Sequence, residues 1–149
     1  MTVSKEEKSR RGFDPLRYVF TDQVPPEGRV TEVAEGVFWT QLPLMGRLNH
    51  INVWLLRDRD GWTLVDTGIY NERVQACWEQ LISHVIGSDP VHRVIATHLH
   101  TDHTGNAGWL VDKFDCPLWM SRSDFYMCKV MASDGPQDVP EDAIRCYHR

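Results

Sequence analysis

Residues 98–103 read HLHTDH, placing three histidines and an aspartate within six positions. Neutral imidazoles and a carboxylate are ligands for a divalent cation, and the spacing lets them act together. In extended chain, residues two apart point the same way, so His98 and His100 can reach one ion. A turn at Thr101 then lets Asp102 and His103 face a second position a few ångströms off. Such donors suit Zn²⁺, although Fe, Mn or Co would accept the same set. With seven histidines in 149 residues, this pattern arises by chance in roughly one chain per thousand. A His-rich surface loop without an ion is the plain alternative. Its place after a buried strand and before a Gly-containing helix argues against that reading.

The flanking sequence predicts the elements that carry this cluster. Residues 1–29 are polar, contain Pro25, Pro26 and Gly28, and read as an N-terminal extension leading into a domain over 30–149. Residues 29–44 are rich in β-branched and aromatic types and broken at Glu35-Gly36, a hairpin pattern. A strand over 50–57, a turn at Asp60-Gly61 and a strand over 62–65 follow. These strands are nearly continuous apolar runs, which predicts burial on both faces. From Asn71 the period becomes helical, with Val74, Trp78, Leu81, Ile82 and Val85 on one stripe and Gly87 as the stop. Further on lie a strand over 91–97 leading into the histidines, a helix over 105–114, and a strand over 116–120. A helix over 121–133 follows, capped by Ser121 or Ser123, and another starts near Pro140. Strands alternating with helices make this an α/β protein.

Composition narrows the function classes. The net charge of −5 and the lack of a basic run argue against a nucleic-acid partner. Cys77, Cys116, Cys128 and Cys146 are widely spaced and form no CxxC pair, so neither a disulfide framework nor a cysteine zinc site is expected. No apolar run approaches the ~20 residues of a membrane helix. No signal-peptide core follows Met1, and Glu6 and Glu7 do not suit a transit peptide. The reading is a cytoplasmic protein with free thiols and no membrane partner.

THLHTDHTG, residues 97–105, resembles the H-x-H-x-D-H signature of the metallo-β-lactamase superfamily, which includes glyoxalase II-like thioesterases, lactonases and nucleases. LVDTG, residues 64–68, resembles the strand-end motif found upstream of that signature. The resemblance covers residues 30–132 and implies the αββα sandwich, of which this chain supplies the N-terminal sheet-plus-helices half. It implies that His98 and His100 bind a first metal ion, and Asp102 and His103 a second. Asp66 would hold the metal loop and a ligand imidazole in place. A metal-bound hydroxide would attack an ester, thioester or lactone carbonyl, with Zn²⁺ the expected ion and Fe or Mn as alternatives. On residue type alone, Asp66 also reads as a turn residue after a strand.

The resemblance also implies ligands that this sequence lacks: a third histidine, a bridging aspartate and a last histidine from the C-terminal half. Only His148 lies beyond His103, without a glycine-rich turn around it, while His50, His84 and His92 read as surface or packed residues. A half-sandwich exposes an apolar face. A truncated product, a chain completed by itself or a partner, and a shortened relative with a reworked site are the three explanations. The loop over 42–51 corresponds to the loop covering the cleft in the family, which makes Met45, Leu48 and Asn49 candidate contacts for a small-molecule substrate. The functional reading is a metal-dependent hydrolase. The alternatives are a non-catalytic metal-binding or oligomerising module and, third, a nuclease of the same superfamily.

Overall fold

The computed structural model of the chain describes residues 19, 20 and 22–133. The helix expected near Pro140, with Cys146 and His148, lies outside these residues, as does most of the predicted extension. What is described of that extension packs onto the domain, with Pro25 and Gly28 buried and Glu27 paired with Arg73 at 2.5 Å.

Six strands form one sheet in the order β1-β2-β3-β4-β5-β6. They are β1 (Thr31–Ala34), β2 (Val37–Pro43), β3 (His50–Asp58), β4 (Gly61–Val65), β5 (Val91–Ile95) and β6 (Leu118–Trp119). The first four pair antiparallel, as the short links between them dictate. The pairs β4–β5 and β5–β6 are parallel, because a helical crossover separates their strands.

The first crossover is α1 (Glu72–Leu81), continued by a π-helical turn over Ile82–Ile86. Asn71 caps α1, its side chain accepting from the Val74 N–H at 2.9 Å. The Gly87 N–H donates to the Ile82 carbonyl at 2.7 Å, a bond spanning five residues. That wider turn rotates the apolar stripe. Val74, Trp78 and Leu81 are fully buried as predicted, but Ile86 takes the next core position while Ile82 and Val85 are only half-buried. After β5 come the short α2 (Thr101–Thr104) and α3 (Ala107–Phe114). The last described helix is α4 (Arg122–Ser133), capped by Ser121, whose hydroxyl accepts from the Asp124 N–H at 3.1 Å.

Burial on both sheet faces, which the apolar runs predict, holds for Trp62, Thr63 and Leu64 of β4 but not for β3. In β3 the burial alternates: Ile51, Val53 and Leu55 are buried, Asn52 is exposed, and Trp54 and Leu56 are half-buried. The helices cover the inner face, where Leu42, Val53, Leu55, Leu64 and Val94 meet Val74, Trp78, Leu81 and Leu110, all at 0% exposure. On the outer face the registers line up Trp39, Trp54, Val65, Ile95 and Trp119 as a row across five strands. Its end residue, Trp119, is 53% exposed. An apolar run thus serves two faces that differ in cover, a distinction that composition along a strand does not carry.

Burying a leucine side chain contributes about 1.5–3 kcal/mol. Leu64→Ala is expected to cost about 2–5 kcal/mol in a urea titration, since it also leaves a cavity. Val65→Ala, on the outer face, should cost clearly less. Burial pushes the Cys77 and Cys116 thiols above their ordinary value, helped by Glu27 and Asp115 respectively. Because the thiolate is the nucleophile, peptide mapping at pH 8 should show both alkylated far more slowly in the native chain than in urea.

Candidate metal centre

The histidine cluster begins where β5 ends. The Asp66 N–H donates to the Ile95 carbonyl at 2.8 Å, joining the exit of β4 to the exit of β5. Ala96 and Thr97 then lead to His98, Leu99 and His100, which are not helical, and α2 carries Asp102 and His103. His100 keeps extended backbone at φ −62, ψ 144 before the helical turn starts. The turn expected at Thr101 is therefore the first turn of α2.

The five side chains form a connected group. His98 Nε2 lies 3.0 Å from His100 Nδ1, and the His98 and His103 rings lie 3.9 Å apart between centroids. His103 Nδ1 lies 2.9 Å from Asp66 Oδ2, and a carboxylate only accepts, so this nitrogen carries the proton. The opposite nitrogen, His103 Nε2, faces Asp102 Oδ2 at 3.6 Å. Asp66 is only 4% exposed and also accepts from the Thr97 N–H at 2.8 Å and the Thr97 hydroxyl at 2.9 Å. Its backbone sits in the left-handed region at φ 64. Left-handed backbone is uncommon for a residue with a side chain and is retained where the surroundings over-determine it.

A second set of bonds fastens α2 to the chain after Asp66. Thr67 donates twice to the His103 carbonyl, from its N–H at 2.9 Å and its hydroxyl at 2.8 Å. The Trp78 indole donates to the Thr67 carbonyl at 2.8 Å. Gly105 permits the close approach: a Cβ there would lie 2.4 Å from the Tyr70 nitrogen and 2.6 Å from the Thr101 carbonyl oxygen. Thr97, Thr67 and Trp78 are absent from the expected site, because their partners are about thirty residues away or, for Trp78, in a helix read as core. The adjacency of Thr97 to His98 is the one local signal.

The remaining candidates lie elsewhere. His92 pairs with Asp60 at 3.0 Å, His84 is exposed on the π-helical turn, and His50 Nδ1 meets Asn49 Oδ1 at 2.7 Å. Met45 and Leu48 are exposed at 90% and 73%. A cavity of about 420 Å³ opens between the β2–β3 loop and the start of α1, lined by Pro43, Leu44, Met45, Asn71, Glu72 and Arg73. Met45 thus borders a cavity, while Leu48 and Asn49 are not part of its lining.

The sequence profile of the metallo-β-lactamase superfamily matches residues 46–136, more than half of the chain. The chain belongs to this superfamily. It is a family of metal-dependent hydrolases whose members typically bind metal ions, often zinc. The fold agrees. A beta-lactamase domain protein from Burkholderia ambifaria is similar at TM-score 0.73 and 42% identity, over 78% of this chain and 37% of that one. A metallo-beta-lactamase from Pontibacter korlensis matches at TM-score 0.58 and 20% identity, over 74% of this chain and 51% of that one. FIM-1 from Pseudomonas aeruginosa, in its mono-zinc form, matches at 0.52 and 18%, over 68% and 45%. The chain therefore spans 37% to 51% of the length of the first two relatives. Among curated proteins, none matches it by sequence.

The donors fit the ion that this family implies. A tetrahedral zinc with Zn–N distances near 2.0–2.1 Å holds two nitrogens about 3.3 Å apart, close to the 3.0 Å between His98 and His100. His103 is already held by a carboxylate at the nitrogen facing away from Asp102, the arrangement that orients metal-binding imidazoles. Among the described residues, no three His, Cys, Asp or Glu side chains surround one point as a finished cage.

The close approach at Gly105 carries its own test. Gly105→Ala must push the end of α2 away from Tyr70 and distort its last turn at the Thr101 carbonyl, at a cost of about 1–3 kcal/mol. Chemical denaturation should show that loss. Gly46→Ala, where a Cβ meets nothing within 4 Å but the backbone lies at φ 106, reports backbone strain without a clash.

Proposed function

We propose that the chain is the metal-binding portion of a hydrolase that opens a small ester, thioester or lactone, as the glyoxalase II-like branch of the superfamily does. The observation that carries this reading is the group of His98, His100, Asp102 and His103 around the buried Asp66. His98 and His100 take a first zinc ion, and Asp102 with His103 a second, with Fe or Mn as alternative metals. Bound zinc lowers the pKa of a coordinated water towards ~7 and polarises a carbonyl. The chain's own contribution is orientation. Asp66 accepts from His103 Nδ1 and so turns Nε2 towards Asp102. Thr97 holds Asp66 in place through two donors. The cavity beside Met45 suits the apolar part of a substrate, and Leu48 and Asn49 lie further along the same loop, outside its lining.

The rest of the site and the cover for the outer row of tryptophans come from a further sheet. We assign this chain to the N-terminal half of the sandwich, with an extension over 1–29. The other half is supplied by more of the same protein, by a partner or by self-association, in the cytoplasm. A non-catalytic metal-binding or oligomerising module is the second reading, favoured by the half-site. A nuclease is the third, and salt-sensitive RNA binding would be its sign.

Native mass spectrometry with added zinc reads metals and subunits together. The wild-type chain is expected to hold zinc and to release it to a chelator. His98→Ala combined with His100→Ala should lose at least one equivalent, along with any hydrolysis of thioester or lactone probes. Unchanged metal content in that double variant would remove the proposal.

A further inference from the structure

Asn106 stands at the N-cap of α3, where an asparagine side chain ordinarily accepts from the first helical N–H groups. Here it makes no such bond. The side chain is fully buried and turned away from its own helix. Its amide nitrogen donates to three successive carbonyls, those of Thr67 at 3.2 Å, Gly68 at 3.3 Å and Ile69 at 2.8 Å. No donor among the described residues reaches its Oδ1. The orientation is forced, because a flipped amide would set that oxygen against three carbonyl oxygens. Asn106 thus gives up a helix cap and leaves a buried acceptor unmet. Both are unfavourable, and a buried polar group kept in that state calls for a reason.

The reason lies in the strand exit it grips. Three carbonyls turned towards one point repel each other unless a donor sits between them. The same short segment holds Asp66 at φ 64 and Gly68 at φ 77. The Asn106 N–H adds a bond to the Thr67 hydroxyl at 3.2 Å, and Thr67 in turn binds the His103 carbonyl. We propose that Asn106 is the positioning residue of the metal loop: it holds the Thr67–Ile69 turn that keeps Asp66 on His103 and so fixes the tautomer of that imidazole. Its role is exerted through Asp66, not by contact with a metal or substrate.

The test separates this role from simple stability. Asn106→Ser deletes the three donations while keeping a small polar side chain at the start of α3. Asn106→Ala serves as a second variant that lacks both. Nitrogen-15 correlation spectra of the metal-free chain, at a pH above the imidazole range, read the His103 tautomer directly. Wild type should show the proton confined to Nδ1. Asn106→Ser should remain folded, with His103 shifting towards the Nε2–H form. Asp66→Ala should produce the same shift, and the double variant no more than either. A His103 fixed at Nδ1 in folded Asn106→Ser or Asn106→Ala would overturn the inference, as would additive effects of Asn106 and Asp66.

A second readout rests on the proposed function: the zinc affinity of Asn106→Ser should fall about 10–100-fold, the usual loss for a partner of a ligand. Wild type that holds no zinc would sink the hydrolase reading, while the tautomer spectra would still decide the part played by Asn106.

Discussion

The carboxylate of Asp66 is the point on which the histidine loop depends. It is almost fully buried, and its oxygens meet donors from two elements, Thr97 after β5 and His103 on α2. A buried carboxylate is costly unless its oxygens are satisfied. The three donors, two of them on one hydroxyl-bearing residue, meet that requirement and tie both elements to the exit of β4. Charge-assisted hydrogen bonds of this kind are about twice as strong as neutral ones. The histidines are therefore arranged from beneath, by a group that does not itself face the open site.

Strain and close packing support that arrangement. Asp66 and Gly68 lie in the left-handed region, and a side chain on Gly68 would fall within 2.8 Å of Leu42 and Val74. The turn is thus pressed against β2 and α1 on one side and against α2 at Gly105 on the other. Trp78, in the middle of α1, closes the back of it through its indole N–H. The inner core and the candidate site share residues, so the packing that stabilises the sheet also holds the geometry of the loop. This coupling explains why the site lies at the strand ends, where β4, β5 and the crossover helix converge.

Much of this was legible from residues alone. HLHTDH marks the loop after β5 by spacing, and the resemblance of LVDTG points to Asp66, which the fold places against His103. Asn71 and Gly87 marked the ends of the crossover helix, since capping and left-handed backbone are local as well. The π-helical turn was not legible: it moves Ile86 into the core by a hydrogen-bond shift that leaves no mark on the apolar pattern. The contrast between the two sheet faces was also hidden, because Leu55 and Leu56 are equally apolar. Asn106 was missed for a related reason. Its type suggests a helix cap, and only the folded chain shows three carbonyls brought to it from forty residues away.

The row from Trp39 to Trp119 has a consequence for handling the protein that is separate from its chemistry. Hydrophobic contact strengthens with excluded solutes such as sulfate or sucrose and weakens with urea. Arg93 lies over the Trp119 ring at 4.6 Å and is paired with Asp58 at 2.9 Å, so one end of the row is shielded by a charge. The tryptophans of β2 and β3 have no such guard in the registers that align them. Excluded solutes would therefore act first on this half-buried face, whose centre carries Trp39 and Trp54, rather than on the core beneath the helices.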